Sequence, residues 1–200
     1  MESVANQIEK KIKNGNRGKF LFPSDFFAMS TPANASRTLQ RLAEQEVILR
    51  ISPGVYYYPR IDTKYGLGVI MPTTTDIAIA IAKRDKVRIF PSGPYALNAL
   101  GLSSQVPMNA VFTTNGAPRR VDIGKGRTIT FRHSGNARNF QYWSKEIQLV
   151  VSALKELGED NVREEHLDRI RPVVKAVPAE KFNHDLALAP AWIINILKSL

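Results

Sequence analysis

The 200-residue chain has no cysteine, only three histidines, and no apolar run near the roughly 18 residues needed to cross a bilayer. Each absence excludes a class. Without cysteine there is no disulfide scaffold, thiolate metal site or cysteine nucleophile. His133, His166 and His184 stand at no metal-ligand spacing and are expected to be structural. Phosphate-cradling loops are also missing. Gly66 and Gly68 lack the third glycine and the helix start that dinucleotide binding needs. The stretch from Pro91 to Pro94 lacks the glycine-x-serine-x-glycine spacing of a nucleophile elbow. The acids Glu164, Glu165 and Asp168 sit among Arg163, Arg169 and Arg171, as on a solvated, ion-paired helix face. No catalytic residue, metal or cofactor is expected, and the chain reads as a non-enzyme. Its first dozen residues carry charge where a secretory segment would be apolar, which predicts a cytoplasmic protein.

Acidic residues are outnumbered. Lys and Arg total 28 against 18 Asp and Glu, for a net charge of +10. Such a balance favours polyanionic partners, nucleic acid before membrane surface. The excess is uneven: +4 over residues 1–60, +7 over 61–140 and −1 over 141–200.

The first sixty residues have a recognisable order. Val4, Ile8 and Ile12 recur every fourth position, which predicts an amphipathic helix ending near Gly15. A second, short helix is expected after Pro23, with Ser24 as its cap. A third is expected over Pro32 to Gln45, capped by Thr31 with Pro32 at its first position. At about 100° per residue, Ala35, Leu39 and Leu42 fall on one face of this third helix, and Asn34, Arg37, Thr38 and Arg41 on another. Two β-rich runs, Val47 to Ile51 and Val55 to Tyr58, flank a Ser52, Pro53, Gly54 turn.

Three helices followed by a hairpin make the order of a winged helix-turn-helix over residues 1–60. A major groove admits one helix, whose exposed side chains reach base edges from a single face. Asn34, Arg37, Thr38 and Arg41 suit that geometry, with Thr31 at the helix start and Arg50 and Ser52 on the wing facing the flanking backbone.

Residues 60–70 read as a linker, and residues 70–200 as a small mixed α/β domain with a helical C-terminal tail. The fold class is therefore α+β. Strands are expected over 87–90, 110–114, 119–123 and 127–133, with hairpin turns at Asn115, Gly116 and at Gly124 to Gly126. Tail helices are expected over 142–157, from Asn161 to a stop at Pro172, and after Pro190. A second basic cluster lies in this domain: Arg119, Arg120, Lys125, Arg127, Arg132 and Arg138, with Asp122 the sole acid between them. Alternate strand residues share a face, so several of these form a candidate patch for phosphates, RNA or an acidic protein. Two alternatives to DNA reading stay open: a module that binds an acidic partner protein directly, and an RNA-binding factor using the 119–138 patch.

The stretch Gly93 to Gly101, Gly-Pro-Tyr-Ala-Leu-Asn-Ala-Leu-Gly, continuing through Pro107, resembles the central block of the AbiEi-like antitoxins and related transcriptional regulators. Asp25 and Phe26, Arg41 and Leu42, Ile48 to Arg50, Pro53 to Tyr56 and Ala189 to Trp192 agree with that family. The resemblance implies a winged helix that binds inverted repeats in its own promoter, the Asn34, Arg37, Thr38, Arg41 face reading the operator; winged helices bind such repeats as a homodimer or as monomers recruited by the DNA. It also implies a second region that counteracts a co-encoded nucleotidyltransferase-like toxin, in a type IV arrangement that needs no stable complex. No membrane partner is expected, since no apolar run is long enough to span a bilayer.

Overall fold

A computed structural model of the chain describes residues 3–200. It is a mixed α+β protein with, among those residues, eight α-helices and nine strands in three small sheets. The chain divides into two compact units, Met1–Arg84 and Asp85–Leu200. That boundary lies later than the one the sequence suggests, so the segment from 60 to 84 belongs with the first unit.

In the first unit, helix α1 (Val4–Lys13) begins at Ser3, whose hydroxyl accepts the Asn6 N–H, and ends with Lys10, Lys11 and Lys13 in its last turn. Strand β1 (Lys19–Leu21) follows, where the sequence showed only a short apolar run. The next helix is a single 3-10 turn, Pro23–Phe26. Phe22, and not the expected Ser24, holds its cap position, and Asp25 inside the turn reaches back to accept the Phe22 N–H at 2.8 Å.

Helix α2 (Pro32–Glu44) starts as expected, with Thr31 Oγ1 accepting the Asn34 N–H at 3.4 Å and Pro32 in the first turn, where its missing N–H costs nothing. Strands β2 (Leu49–Ser52) and β3 (Val55–Tyr58) form the expected hairpin around Gly54, whose φ of +72° suits a residue without a side chain. Strand β1 adds to the far side of β3, giving a sheet of order β1-β3-β2. Ile8, Ile12, Phe26, Ala35, Leu39, Leu42, Ile48 and Tyr56 form one buried core beneath these elements. Removing each large side chain from water contributes about 1.5–3 kcal/mol, which is what fixes α2 against α1 and the sheet.

The 60–70 segment is not an unstructured linker. Strands β4 (Arg60–Asp62) and β5 (Gly68–Ile70) pair as an antiparallel hairpin. Asp62 accepts the N–H groups of Lys64 and Tyr65, turning the chain, while Ile61 faces Val69 across the ladder. Helix α3 (Thr74–Arg84) then opens with a reciprocal cap: Thr73 Oγ1 accepts the Asp76 N–H, and Asp76 accepts the Thr73 N–H.

The second unit is built on strands β6 (Ile89–Ser92), β7 (Asn109–Thr114), β8 (Arg119–Asp122) and β9 (Thr128–His133), in the order β6-β7-β9-β8. Strands β7 and β9 run parallel, and the two outer pairs are antiparallel. The Asn115, Gly116 turn is therefore not a hairpin: β8 lies beyond β9, and only the Gly124 to Gly126 turn joins neighbours. Helix α4 (Pro94–Ala99) leaves β6 through Gly93 at φ +62°, and helix α5 (Lys145–Leu157) lies along β6, where Ser152 Oγ donates to the Pro91 carbonyl at 2.8 Å.

Helices α6 (Glu164–Lys175), α7 (Ala179–Leu186) and α8 (Ala191–Ser199) complete the tail. Pro172 lies inside α6 and does not end it, and Arg163 occupies the cap position expected for Asn161. The buried core here joins Ile147, Val150 and Leu154 of α5 to Ile170, Ile193 and Leu197 of the later helices. Asp185, wholly buried on α7, accepts the N–H groups of Trp143 and Ser144 at 2.7 Å each and so pins the start of α5.

No described helix is long and apolar enough to cross a membrane.

Candidate nucleic-acid interface

Helix α2 presents its outer face because its inner one is taken by the core. Asn34, Arg37 and Arg41 are exposed, as are Thr31 at the cap and Arg50 on β2. Two of the expected contact residues are not available. Thr38 is only 7% exposed, and so is Ser52. Helical geometry explains the first: Thr38 lies next to the Leu42 and Ala35 side of the helix, so its face turns inward at the edge of the core. Ser52 sits opposite Val55 at the tight end of the β2–β3 hairpin, beside a register irregularity between Arg50 and Ser52. In their place the structure exposes Ser36 and Gln40, the latter donating to Glu44 at 3.2 Å. The helical period centres the solvent face between Arg37 and Gln40, with Thr38 at its edge against the core.

The two arginines differ electrostatically. Arg37 makes no ion pair with a described side chain, so its guanidinium is free for an anion. Arg41 lies 3.6 Å from Glu9 of α1, which is also bonded to Lys13 at 2.7 Å. The Lys13 hydrogen bond first, with the charges of Lys13 and Arg41, holds the Glu9 carboxyl below its ordinary range. One acid thus restrains two cations beside the exposed helix. Arg17 stacks on the Tyr58 ring and donates to the Pro59 carbonyl, placing another cation at the end of β3.

The second basic cluster does not form a single patch. Arg119 and Arg120 are successive residues of β8 and point to opposite faces of the sheet. Arg119 pairs with Asp85 and lies over the Phe131 ring, so its charge is already matched. Arg120 and Arg132 share the other face, in register with Thr130 and Thr113 respectively. Lys125 is in the β8–β9 turn at φ +54°, Arg127 is half-buried just before β9, and Arg138 donates to the Ala187 carbonyl at 2.8 Å.

The histidines are spread apart in local roles. His133 Nδ1 lies 2.9 Å from the Gly116 carbonyl, His166 accepts the Arg163 N–H, and His184 contacts Asp185 while stacking on Trp143 at 3.7 Å. Among the described residues, no group of three or more His, Asp or Glu is placed to hold a metal ion.

The model of a family of unknown function, DUF6088, matches residues 7–182. No curated protein matches the chain.

Proposed function

We propose that this chain, which belongs to the DUF6088 family, is a sequence-reading DNA-binding regulator whose first unit is a winged helix-turn-helix. The observation that carries the reading is an exposed Asn34, Arg37, Arg41 face on α2, a helix seated against a β1-β3-β2 sheet. In this reading α1, the 3-10 turn and α2 are the three helices, and β2–β3 is the wing. Arginine pairs bidentately with guanine O6 and N7, and asparagine with adenine N6 and N7, so the face can discriminate bases as well as hold phosphates. Arg50 on the wing and Arg17 beside Tyr58 supply backbone contacts.

The resemblance to AbiEi-like antitoxins extends the proposal. The operator is an inverted repeat in the chain's own promoter, bound in the cytoplasm by a monomer or homodimer, and the second unit counteracts a co-encoded nucleotidyltransferase-like toxin. The direct alternatives for the second unit, RNA or an acidic protein on the 119–138 patch, are weakened by the division of that patch between two sheet faces and by the Arg119–Asp85 pair.

Fluorescence anisotropy tests the DNA reading, using the duplex upstream of the reading frame and a shuffled control at two salt concentrations. Selective binding is expected, with log K falling steeply as log salt rises because phosphate contacts release counterions. Equal affinity for both duplexes would refute sequence reading.

A further inference from the structure

The second unit holds a cleft of about 250 Å³ that nothing in the DNA-reading proposal uses. Its floor is a row across the sheet: Phe90 of β6 is in register with Thr113 of β7, and Thr113 with Arg132 of β9. One turn of α5, from Val151 to Lys155, walls it on one side, and Tyr142, just ahead of that helix, on another. Gly93, at φ +62°, lets the chain turn from β6 into α4 at the rim.

We propose that this cleft binds a small phosphate monoester, with the anion held by Arg132 and Lys155 and the Tyr142 hydroxyl as a third donor. Three features of the residues support it. Neither Arg132 nor Lys155 forms an ion pair with a described side chain, and the one acid of the lining, Glu156, leaves an excess of one positive charge. The Tyr142 hydroxyl is buried and is the one buried side-chain polar atom among the described residues with no hydrogen-bond partner. Buried polar groups are nearly always paired, so an orphan donor on a residue that lines a cleft together with two unpaired cations suits an anion there. Burial above all, with the nearby Asp185 charge, pushes the Tyr142 hydroxyl up to about 12, so it keeps its proton and can donate at any physiological pH. Burial also holds the Lys155 ammonium below its ordinary range, a penalty that a neighbouring anion offsets.

A phosphate uses this donor set better than a carboxylate does. Arg132, Lys155 and Tyr142, with the Ser92 and Thr113 hydroxyls in the same lining, offer more donors than two carboxylate oxygens can accept. Guanidinium is suited to bidentate phosphate contact. The volume admits the anion and a few carbon atoms, and is below the roughly 300–1,000 Å³ of pockets for larger ligands.

Isothermal titration of the full chain with inorganic phosphate, glycerol 3-phosphate and acetate, at fixed ionic strength, tests the proposal. Saturable binding at one site is expected for both phosphates, tighter for the ester, and about tenfold or more weaker for acetate. Arg132→Gln and Tyr142→Phe are each expected to weaken glycerol 3-phosphate about tenfold. Tyr142→Phe removes only an unpaired hydroxyl, so it keeps the thermal midpoint, and its loss of binding cannot be ascribed to misfolding. The Arg37→Ala, Arg41→Ala variant, altered only in the first unit, is expected to bind the ester as the parent does. No saturable binding, equal affinity for acetate, tighter binding of the free ion than of the ester, or binding lost with Arg37 and Arg41 and kept without Tyr142 would each overturn the proposal. None of these outcomes bears on DNA reading, which rests on other residues.

Discussion

Replacing Arg37 and Arg41 by alanine is the sharpest perturbation of the proposed DNA reader. Both side chains are exposed on α2, and neither belongs to the core of Ala35, Leu39 and Leu42. Folding should hardly notice: alanine is at least as good a helix former as arginine, and the one interaction lost is the exposed pair of Arg41 with Glu9 at 3.6 Å. The binding effect is large by comparison. A bidentate arginine–guanine contact is worth about 1–3 kcal/mol of discrimination, so losing two removes about 2–6 kcal/mol. That is roughly a 30-fold to 10⁴-fold loss on the operator duplex. Base contacts and phosphate contacts separate in the same assay. Lost base contacts bring operator affinity down to that for shuffled DNA at an unchanged salt slope, whereas each lost phosphate contact lowers both affinities together and reduces the slope by about one. Anisotropy on both duplexes at several salt concentrations, with circular dichroism to verify the helices, reads all of this. A folded double variant that still prefers the operator by the parent's margin would show that α2 is not the reading helix.

Three further outcomes are expected. Glu9→Gln releases Lys13 and Arg41 from the one acid beside α2, so it should tighten DNA binding at low salt, an effect that shrinks as salt rises; unchanged affinity would place α1 away from the DNA. Asp185→Ala strands the Trp143 and Ser144 N–H groups at the start of α5, which costs about 3 kcal/mol or more and should lower the second unit's unfolding midpoint by about 10 °C, measured by calorimetry; a drop of only a degree or two would show that the carboxylate is not a clamp. The Ser144 hydroxyl, ahead of smaller contributions, holds the Glu146 carboxyl below its ordinary value of 4.5. A lowered folded value means stability complete above pH 4.5 and lost as pH falls through the folded value. Denaturation midpoints of the parent and Glu146→Gln should therefore differ most above that pH and converge below it, and a constant gap would contradict the assignment.

Much of the local structure was legible because it is written in short-range chemistry. The Thr31 and Pro32 start of α2, the spacing of Ala35, Leu39 and Leu42, the Pro53 and Gly54 turn of the hairpin, and the positive balance of the first 140 residues all follow from residues a few positions apart. The misreadings share a cause. Whether Gly66 and Gly68 mark a linker or a hairpin depends on whether Ile61 finds Val69 across the turn, and whether Pro172 ends a helix depends on what packs around it. Strand β1 is three residues long and gains its place only by pairing with β3 from 35 or more residues away, from Leu21 with Tyr56 at 35 to Lys19 with Tyr58 at 39.

The sequence by itself determined which residues carry charge, where helices begin and which side chains seek burial, since these depend on side-chain identity and neighbours along the chain. Only the tertiary structure decided which charges are free. It buried Thr38 and Ser52, tied Arg41 to Glu9 and Arg119 to Asp85, and put Arg120 and Arg132 on the face of the sheet away from Arg119. It also brought Arg132, Lys155 and Tyr142, whose hydroxyl is unpaired, around one cleft from a strand, a helix and the segment between them. Strand order and register are set by burial summed over the whole unit, and no window of sequence contains that sum.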